Sequence, residues 1–326
     1  PHIYTGNNSG SGQTITFGGN SDLQPDLTWI KCRNSTSFNH YIVDSSRGEN
    51  NSVHIRLVPN GTQTANDGYT DNFSSDGFRC VNDNGTVNGN QTYVSWNWKA
   101  NGGSISATFS EVGTNPAGNR QVNTTAGFSL MTWTGTGVID SGTSGTIAHG
   151  LGAVPHFWMI KCLSNAHDWA VYHHKNTAAP ETDFLVLNGT SATSDSDGKW
   201  NDTAPTSTNI TLKDGGGVNR NDETHVGYFW TEIQGYSKFG SFEGNANADG
   251  PFIYTGFKPA FIILKRYNSS ADWEMNDNKR NGYNGGNVGL TPNTASADAT
   301  DNELDLLSNG FKIRTTNDNW NPAAGQ

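Results

Sequence analysis

The sequence predicts an all-β protein of three tandem β-sandwich repeats with jelly-roll or lectin-like topology. The first observation is a proline-led apolar run that occurs three times and reaches a lysine each time, at Lys31, Lys161 and Lys265. The second is a further strand-like run shortly after each copy, at residues 40–44, 169–173 and 273–277. The third is a composition of 39 glycines and many short apolar runs, without a run of ten residues that has helical periodicity.

Each proline-led run is short and almost fully apolar, which is typical of a strand that is buried on both faces. A proline at the first residue of a strand costs little, because its missing N–H is not needed there. The polar turn and the second run then complete a hairpin. Recurrence of the same hairpin along the chain indicates a repeat architecture.

The predicted repeats cover most of the chain. Repeat one spans residues 1–103 and closes with a strand at 92–98, where polar and apolar residues alternate. Residues 104–126 are polar and contain Asn115-Pro116, so we predict a linker there. Repeat two spans residues 127–235, and repeat three spans residues 236–326.

The third repeat is predicted to lack its closing strand. The interval from the lysine to the closing tryptophan is 65 residues from Lys31 to Trp96 and 69 from Lys161 to Trp230. The same intervals after Lys265 lead to positions 330–334, beyond Gln326. An open sheet position exposes backbone donors and acceptors. We expect the polypeptide to continue; the alternative is that a neighbouring molecule supplies the strand.

Charge and cysteine content exclude several classes of partner and site. The net charge of -10 makes nucleic acid an unexpected partner, because phosphate binding needs a basic surface. No apolar stretch approaches the roughly 20 residues that span a bilayer, so we expect no membrane insertion. The three cysteines lack CxxC spacing and are predicted to be buried free thiols rather than disulfides or zinc ligands: Cys32, Cys80 and Cys162.

The search for catalytic motifs finds no convincing set, so we expect no enzyme activity and no cofactor. His167, Asp168, His173 and His174 are close in sequence, but His173 and His174 point to opposite faces of a strand. These side chains are therefore interpreted as polar residues at strand ends. Paired carboxylates for glycoside hydrolysis come from separate strands and leave no sequence pattern, so a polysaccharide-degrading enzyme remains an alternative function.

Two acidic runs are candidates for carboxylate chemistry, and the first of them for a metal site. Asp195, Asp197 and Asp202 have carboxylate spacing similar to that of calcium loops but lack the later bidentate glutamate, so a solvated turn is favoured over a calcium site. The carboxylates of 301, 303 and 305 alternate along a possible strand and are expected to face solvent. We therefore predict no metal site.

Three aromatic residues are candidates for glycan binding: Trp200, Tyr283 and Trp320. They lie among Asn and Asp residues and outside the strand patterns. Flat rings beside amide and carboxylate groups suit sugar recognition, because the ring stacks on the sugar and the polar groups bind hydroxyls. The alternative is that these rings pack beneath their own loops.

Several stretches resemble a repeat-bearing family of structural proteins from marine bacteriophages of the cyanophage and pelagiphage type. Members are often described as tail fibres or as domains of unknown function. The resemblance covers essentially the whole chain and is clearest at residues 22–31, 93–103, 125–130 and 235–261. It implies a location in the virion, but it brings no catalytic residues.

The expected function is that of a non-enzymatic structural protein of a phage tail fibre or similar appendage, serving attachment to host-surface glycans. The resemblance implies a homotrimer, other virion proteins as partners and a place on the virion surface. Three alternatives remain open: a capsid-surface decoration protein, a polysaccharide-degrading tail enzyme and a cellular carbohydrate-binding adhesin.

Overall fold

The computed structural model of the chain describes residues 1–50, 52–138, 142–280, 284–300 and 303–323. The described chain is nearly all β, and its named strands pair antiparallel, which confirms the predicted fold class. The helical elements of this part are a 3-10 turn at Pro180–Thr182 and the single-turn helix α1 (Asp197–Trp200). Neither is long or apolar enough to span a membrane. We refer to residues 1–103, 104–235 and 236–326 as units one, two and three.

The described residues of unit one form ten strands in two sheets. They are β1 (His2–Thr5), β2 (Gln13–Thr16), β3 (Leu27–Cys32), β4 (Tyr41–Asp44), β5 (Glu49–Asn50), β6 (Val53–Leu57), β7 (Asn66–Asp67), β8 (Thr70–Ser74), β9 (Gly77–Cys80) and β10 (Thr92–Trp98). The larger sheet has the order β1-β10-β3-β4-β6-β5, with β7 paired to β6, and the smaller has the order β2-β9-β8.

In unit two, the part of the chain that the structure describes also forms ten strands. They are β11 (Ala107–Phe109), β12 (Gly118–Asn123), β13 (Phe128–Thr134), β14 (Ser144–Ala148), β15 (Phe157–Cys162), β16 (Ala170–His173), β17 (Asp183–Val186), β18 (Ser194–Asp195), β19 (Asn209–Lys213) and β20 (Thr224–Trp230). The larger sheet has the order β11-β12-β13-β20-β15-β16-β17-β18, and β14 pairs with β19. The prediction of a linker over residues 104–126 is therefore wrong, because β11 and β12 extend this sheet.

Unit three contains seven described strands. They are β21 (Phe252–Tyr254), β22 (Phe261–Lys265), β23 (Trp273–Asp277), β24 (Val288–Gly289), β25 (Ala299–Thr300), β26 (Leu304–Leu307) and β27 (Gly310–Ile313). They form a three-stranded sheet, β21-β27-β26, and two pairs, β22-β23 and β24-β25.

In each unit two sheets face each other across a small apolar core. Representative buried side chains are Ile30 and Phe78 in unit one, Trp158 and Leu212 in unit two, and Ile262 with Phe311 in unit three. This two-layer arrangement fits a β-sandwich. The jelly-roll or lectin-like topology stays a prediction.

The opposite faces of the three hairpins meet in one shared core. Trp29 of unit one, Met159 of unit two and Met275 of unit three belong to the same buried cluster. The three units therefore share one core in addition to the core within each unit. β3 and β15 are buried on both faces because one face serves the strand's own unit and the other serves the shared core, whereas β22 has only Ile262 buried.

Equivalent hydrogen bonds join the units head to tail in a closed ring. In each case a ring N–H at the start of the second hairpin strand donates to a carbonyl of another unit: His40 to Thr291 (3.1 Å), Trp169 to Val58 (3.1 Å) and Trp273 to Val186 (2.9 Å). His40 donates from Nε2, because its Nδ1 accepts from Trp29. Backbone amides repeat the pattern: Ala65 to Leu163, Thr193 to Tyr267 and Asp298 to Arg33. Heterologous contacts that close in this way give pseudo-threefold symmetry within one chain.

An asparagine fixes each of these junctions. Its Oδ1 accepts from the backbone N–H of the ring-bearing residue, in the pairs Asn60 with His40 (2.9 Å), Asn188 with Trp169 (2.8 Å) and Asn293 with Trp273 (2.9 Å). Each asparagine follows the accepting carbonyl by two positions. Each asparagine therefore connects two junctions: its side chain holds the donor residue of one junction, and its backbone lies two residues after the carbonyl that accepts in the next.

The three repeat lysines hold like positions in their strands, but their hydrogen bonds agree only for Lys161 and Lys265, because Lys31 Nζ donates to Cys32 O (2.8 Å) and Ser35 O (3.4 Å) within its own turn. Lys161 Nζ donates to His167 O (2.8 Å) in its own turn and to Thr62 O (3.1 Å) in unit one. Lys265 Nζ repeats this with Ala271 O (2.7 Å) and Thr190 O (3.0 Å). Burial lowers the pKa of each lysine, Lys31 included, to about 8.

Candidate functional sites

The aromatic residues predicted for glycan binding are not exposed. Trp200 is 1% exposed, packs against Trp158 and donates its indole N–H to Asp183 O at 2.9 Å. Trp320 is 3% exposed in the core of unit three. The exposed-ring interpretation is wrong for both, because distant strands cover rings that have polar neighbours in sequence. Tyr283 lies outside the described residues.

Other aromatic side chains of unit three do face solvent: Tyr236, Phe252, Tyr254 and Tyr267. Phe252 (45% exposed) and Tyr254 (66% exposed) are two positions apart on β21, so they share one face. Lys312 lies opposite Phe252 in register and forms an ion pair with Asp249 at 2.9 Å. Two adjacent rings beside polar groups match the chemistry of sugar stacking. The sequence shows the two aromatic residues at alternate positions of a short strand, but it does not show that they face outward.

The acidic residues considered for calcium do not converge. Asp197 is paired with Lys213, Asp195 lies in β18, and Asp202 has a left-handed backbone with φ of 46°. The favoured interpretation as a solvated turn is consistent with their exposure.

In the second acidic run Glu303 is buried and accepts from Asn317, so the expected solvent-facing position is wrong for it. Asp305 is paired with Arg314 at 2.5 Å. Residue 301 lies outside the described residues.

The histidines near β16 take different partners. His174 Nε2 contacts Phe239 O at 3.0 Å, and its ring meets His156 edge to face. His173 Nδ1 accepts from the backbone N–H of Lys175 at 3.0 Å, and burial lowers the pKa of His173 to about 4. Asp168 accepts from Asn188 at 2.7 Å.

A cluster that the sequence analysis missed lies where β15 ends and β20 begins. Cys162 and His225 are cross-strand partners, and Glu223 precedes β20 by one residue. Glu223 Oε2 is 3.3 Å from Cys162 Sγ and 3.4 Å from His167 Nε2. Among the described residues, Cys162, Glu223 and His225 are the one trio of such groups whose ligand atoms all lie within 4.8 Å of one another.

Burial leaves the imidazoles of this cluster short of partners. Neither ring nitrogen of His225 has a hydrogen bond, although the side chain is fully buried, and Nε2 of His167 also has none. Burial lowers the pKa of His225 to about 3, which keeps the ring neutral. Burial opposes ionisation of Glu223, but hydrogen bonds from Cys162 and Asn165 hold its pKa below the usual value.

This donor set suits Zn²⁺ better than a harder cation. Thiolate sulfur, imidazole nitrogen and carboxylate oxygen are its usual ligands, at bond lengths of about 2.0–2.3 Å. A tetrahedral site then needs ligand atoms about 3.3–3.8 Å apart; the Cys162–Glu223 distance of 3.3 Å lies in this range, and the pairs with His225 lie within 4.8 Å. An open groove of about 460 Å³ between units one and two is lined in part by Thr224 and His225, beside the cluster. Unit one has Tyr93 opposite Cys32 and unit three has Arg266 in place of the cysteine, so the set is specific to unit two.

Comparison with known proteins gives one match. A family model described as a domain of unknown function (DUF7483) matches residues 1–326. No curated protein and no solved structure matches the chain. The chain therefore belongs to the DUF7483 family.

Proposed function

We propose that the chain is a non-enzymatic structural part of a phage tail fibre or similar virion appendage, on the virion surface, and that it serves attachment to host glycans. The observation that carries this proposal is the closed ring of equivalent contacts between the units, such as Trp169 to Val58. A body with three like faces fits the end of a threefold assembly, because each face can meet one subunit of the partner.

Phe252 and Tyr254 supply a surface for the glycan. Both rings are exposed on one face of β21, and neither is needed to fill a core. Aromatic stacking with nearby Lys312 and Asp249 gives contact with both the ring face and the hydroxyls of a sugar.

Antibody-gold labelling of virions tests the location. Label at the tail or its fibres supports the proposal, whereas virions without label overturn it. Label over the capsid identifies the second candidate, a decoration protein, which the pseudo-threefold shape also favours because capsids present threefold positions.

A glycan-binding assay with Phe252→Ala/Tyr254→Ala tests the attachment surface. We expect binding to host glycans to fall at least tenfold, while the matched variant Tyr267→Ala, at another exposed ring, binds normally. Release of reducing ends from host polysaccharide would instead identify an enzyme and contradict the non-enzymatic assignment.

A further inference from the structure

The repeat lysine strand of unit three has one neighbour fewer than its counterparts. In unit one the lysine strand β3 is followed in the sheet by β10 and then β1, and in unit two β15 is followed by β20 and then β13. In unit three β22 pairs only with β23 in the part of the chain that the structure describes. The burial follows: every residue of β3 and β15 is buried, but in β22 only Ile262 is. The outer edge of β22 therefore presents a place for one strand.

The chain also provides a neighbour on the other side of this open strand position, at the place that β1 has in unit one. In unit one, Asn7 N donates to Asn88 Oδ1 (3.1 Å), just after β1. In unit three, Asn245 N donates to Asn321 Oδ1 (2.7 Å) in the same way. Residues 240–243 therefore hold the position of β1, so an incoming strand meets polypeptide on both sides.

The register of units one and two fixes what the incoming strand must carry on its inner face. Lys31 pairs with Val94 and Lys161 with Val226, so a valine belongs opposite Lys265. Leu27 pairs with Trp98 and Phe157 with Trp230, so a tryptophan belongs opposite Phe261. Trp98 and Trp230 already meet edge to face, with ring centroids 5.9 Å apart, and Trp98 contacts Phe261 at 5.8 Å. A third tryptophan completes this aromatic group.

The residue of the incoming strand that lies opposite Ile263 needs an oxygen atom that can accept a hydrogen bond. In the sister strands this position is Trp96, which donates to Asp277, and Tyr228, which donates to Asp44. The two acceptors, Asp277 and Asp44, belong to units three and one, and the equivalent residue of unit two is His173. The equivalence follows from the register, because Phe157 pairs with His173 as Leu27 pairs with Asp44. Nδ1 of His173 is an acceptor, so the proton of the neutral ring is on Nε2. The hydroxyl oxygen of tyrosine can accept a hydrogen bond from that N–H, whereas the indole of tryptophan has only a donor.

We propose that the outer edge of β22 is a binding site for one antiparallel peptide strand of the pattern Val-x-Tyr-x-Trp. The valine faces Lys265, the tyrosine faces Ile263 and contacts His173, and the tryptophan faces Phe261. Main-chain hydrogen bonds supply affinity and the alternate side chains supply specificity, as in other cases of strand addition.

A peptide with the sequence of residues 224–231, flanked by lysines for solubility, carries this pattern and serves as the probe. We expect it to bind the 326-residue chain one to one in calorimetry. Hydrogen exchange should show new protection of the amides of residues 261–265. A peptide of the same composition in which valine, tyrosine and tryptophan are adjacent, Thr-Val-Tyr-Trp-His-Gly-Phe-Thr, should bind at least tenfold more weakly, because three adjacent side chains cannot all face the same side of a strand.

The contact between the tyrosine and His173 has its own test. Replacing the peptide's tyrosine with phenylalanine should weaken binding about three- to tenfold. The loss should vanish in His173→Ala and persist in the matched variant His174→Ala, whose ring contacts Phe239 instead.

Three results would overturn the proposal: binding of neither peptide, equal binding of both peptides, or amides of residues 261–265 that are already protected because two copies of the chain pair through β22. A phenylalanine effect that persists in His173→Ala would overturn the choice of tyrosine.

Discussion

Trp169 donates its indole N–H to the carbonyl of Val58 in the preceding unit, at 3.1 Å, and both residues are buried. The bond joins elements 111 positions apart, and its counterparts at Trp273 and His40 close the ring of units. The stability of the fold should therefore depend on such junctions as well as on the core of each unit.

Trp169→Phe should lower the free energy of unfolding by about 1–3 kcal/mol, because a buried carbonyl loses its donor. Denaturant unfolding measures this change. Trp98→Phe is the matched control, since Trp98 is only half-buried and its indole N–H has no hydrogen bond among the described residues; it should cost less. Equal losses for the two variants would mean that ring volume, and not the junction, matters.

Asp26 anchors the turn that leaves unit one. Its buried carboxylate accepts from the backbone N–H groups of Ala100 (2.6 Å), Gly102 (2.8 Å) and Gly103 (2.6 Å) and from Ser45 Oγ (2.7 Å). Gly102 and Gly103 have φ of 62° and 79°, which glycine adopts easily.

Asp26→Asn should cost about 2–4 kcal/mol of unfolding free energy, because the new amide group points N–H at N–H. Asp22→Asn, at an exposed position, should change it by less than about 0.5 kcal/mol. Thermal or denaturant unfolding of both variants checks the difference, and a value for Asp26→Asn as small as that for Asp22→Asn would contradict it.

The buried repeat lysines predict a specific dependence of stability on pH. Burial lowers the pKa of Lys161 to about 8, below the usual 10.5. Between these values the unfolded chain binds more protons, so the contribution of Lys161 to stability rises with pH across this window. The neutral amine still has two N–H donors for Thr62 O and His167 O.

The unfolding free energy of the wild type relative to Lys161→Met should therefore increase from pH 8 to pH 10. Groups that titrate in both proteins cancel in this comparison. NMR of ¹³C-labelled lysine should show three side chains with midpoints near pH 8. Midpoints all near 10.5, or a difference that does not vary with pH, would refute the assignment.

We expect the cluster of Cys162, Glu223 and His225 to take up Zn²⁺, which differs from the sequence-based prediction of no metal site and no zinc ligand among the cysteines. Binding to the folded state alone raises the melting temperature. Co²⁺ in its place should give a thiolate charge-transfer absorption that disappears in Cys162→Ser and remains in Cys32→Ser, the matched cysteine of unit one. Absorption that survives in Cys162→Ser would place the metal elsewhere.

Much of the candidate chemistry could not be predicted from the sequence. Glu223 and Cys162 are 61 positions apart and meet only because β20 pairs with β15. Trp200 has polar neighbours in sequence, yet strands far along the chain cover its ring. Phe252 and Tyr254 look like core residues of a short strand, and their exposure depends on which face of β21 is covered.

The sequence by itself determined the strands and the repeat, because apolar periodicity, a leading proline and a following turn act over a few residues. It placed Lys31, Lys161 and Lys265 in equivalent positions. Only the tertiary structure decided that the units close into a ring around one core and that residues 104–126 join a sheet. It also decided which side chains meet in the cluster of Cys162, Glu223 and His225 and which lie beside β22. Those outcomes depend on contacts between segments that are distant in sequence, and local sequence patterns do not specify such contacts.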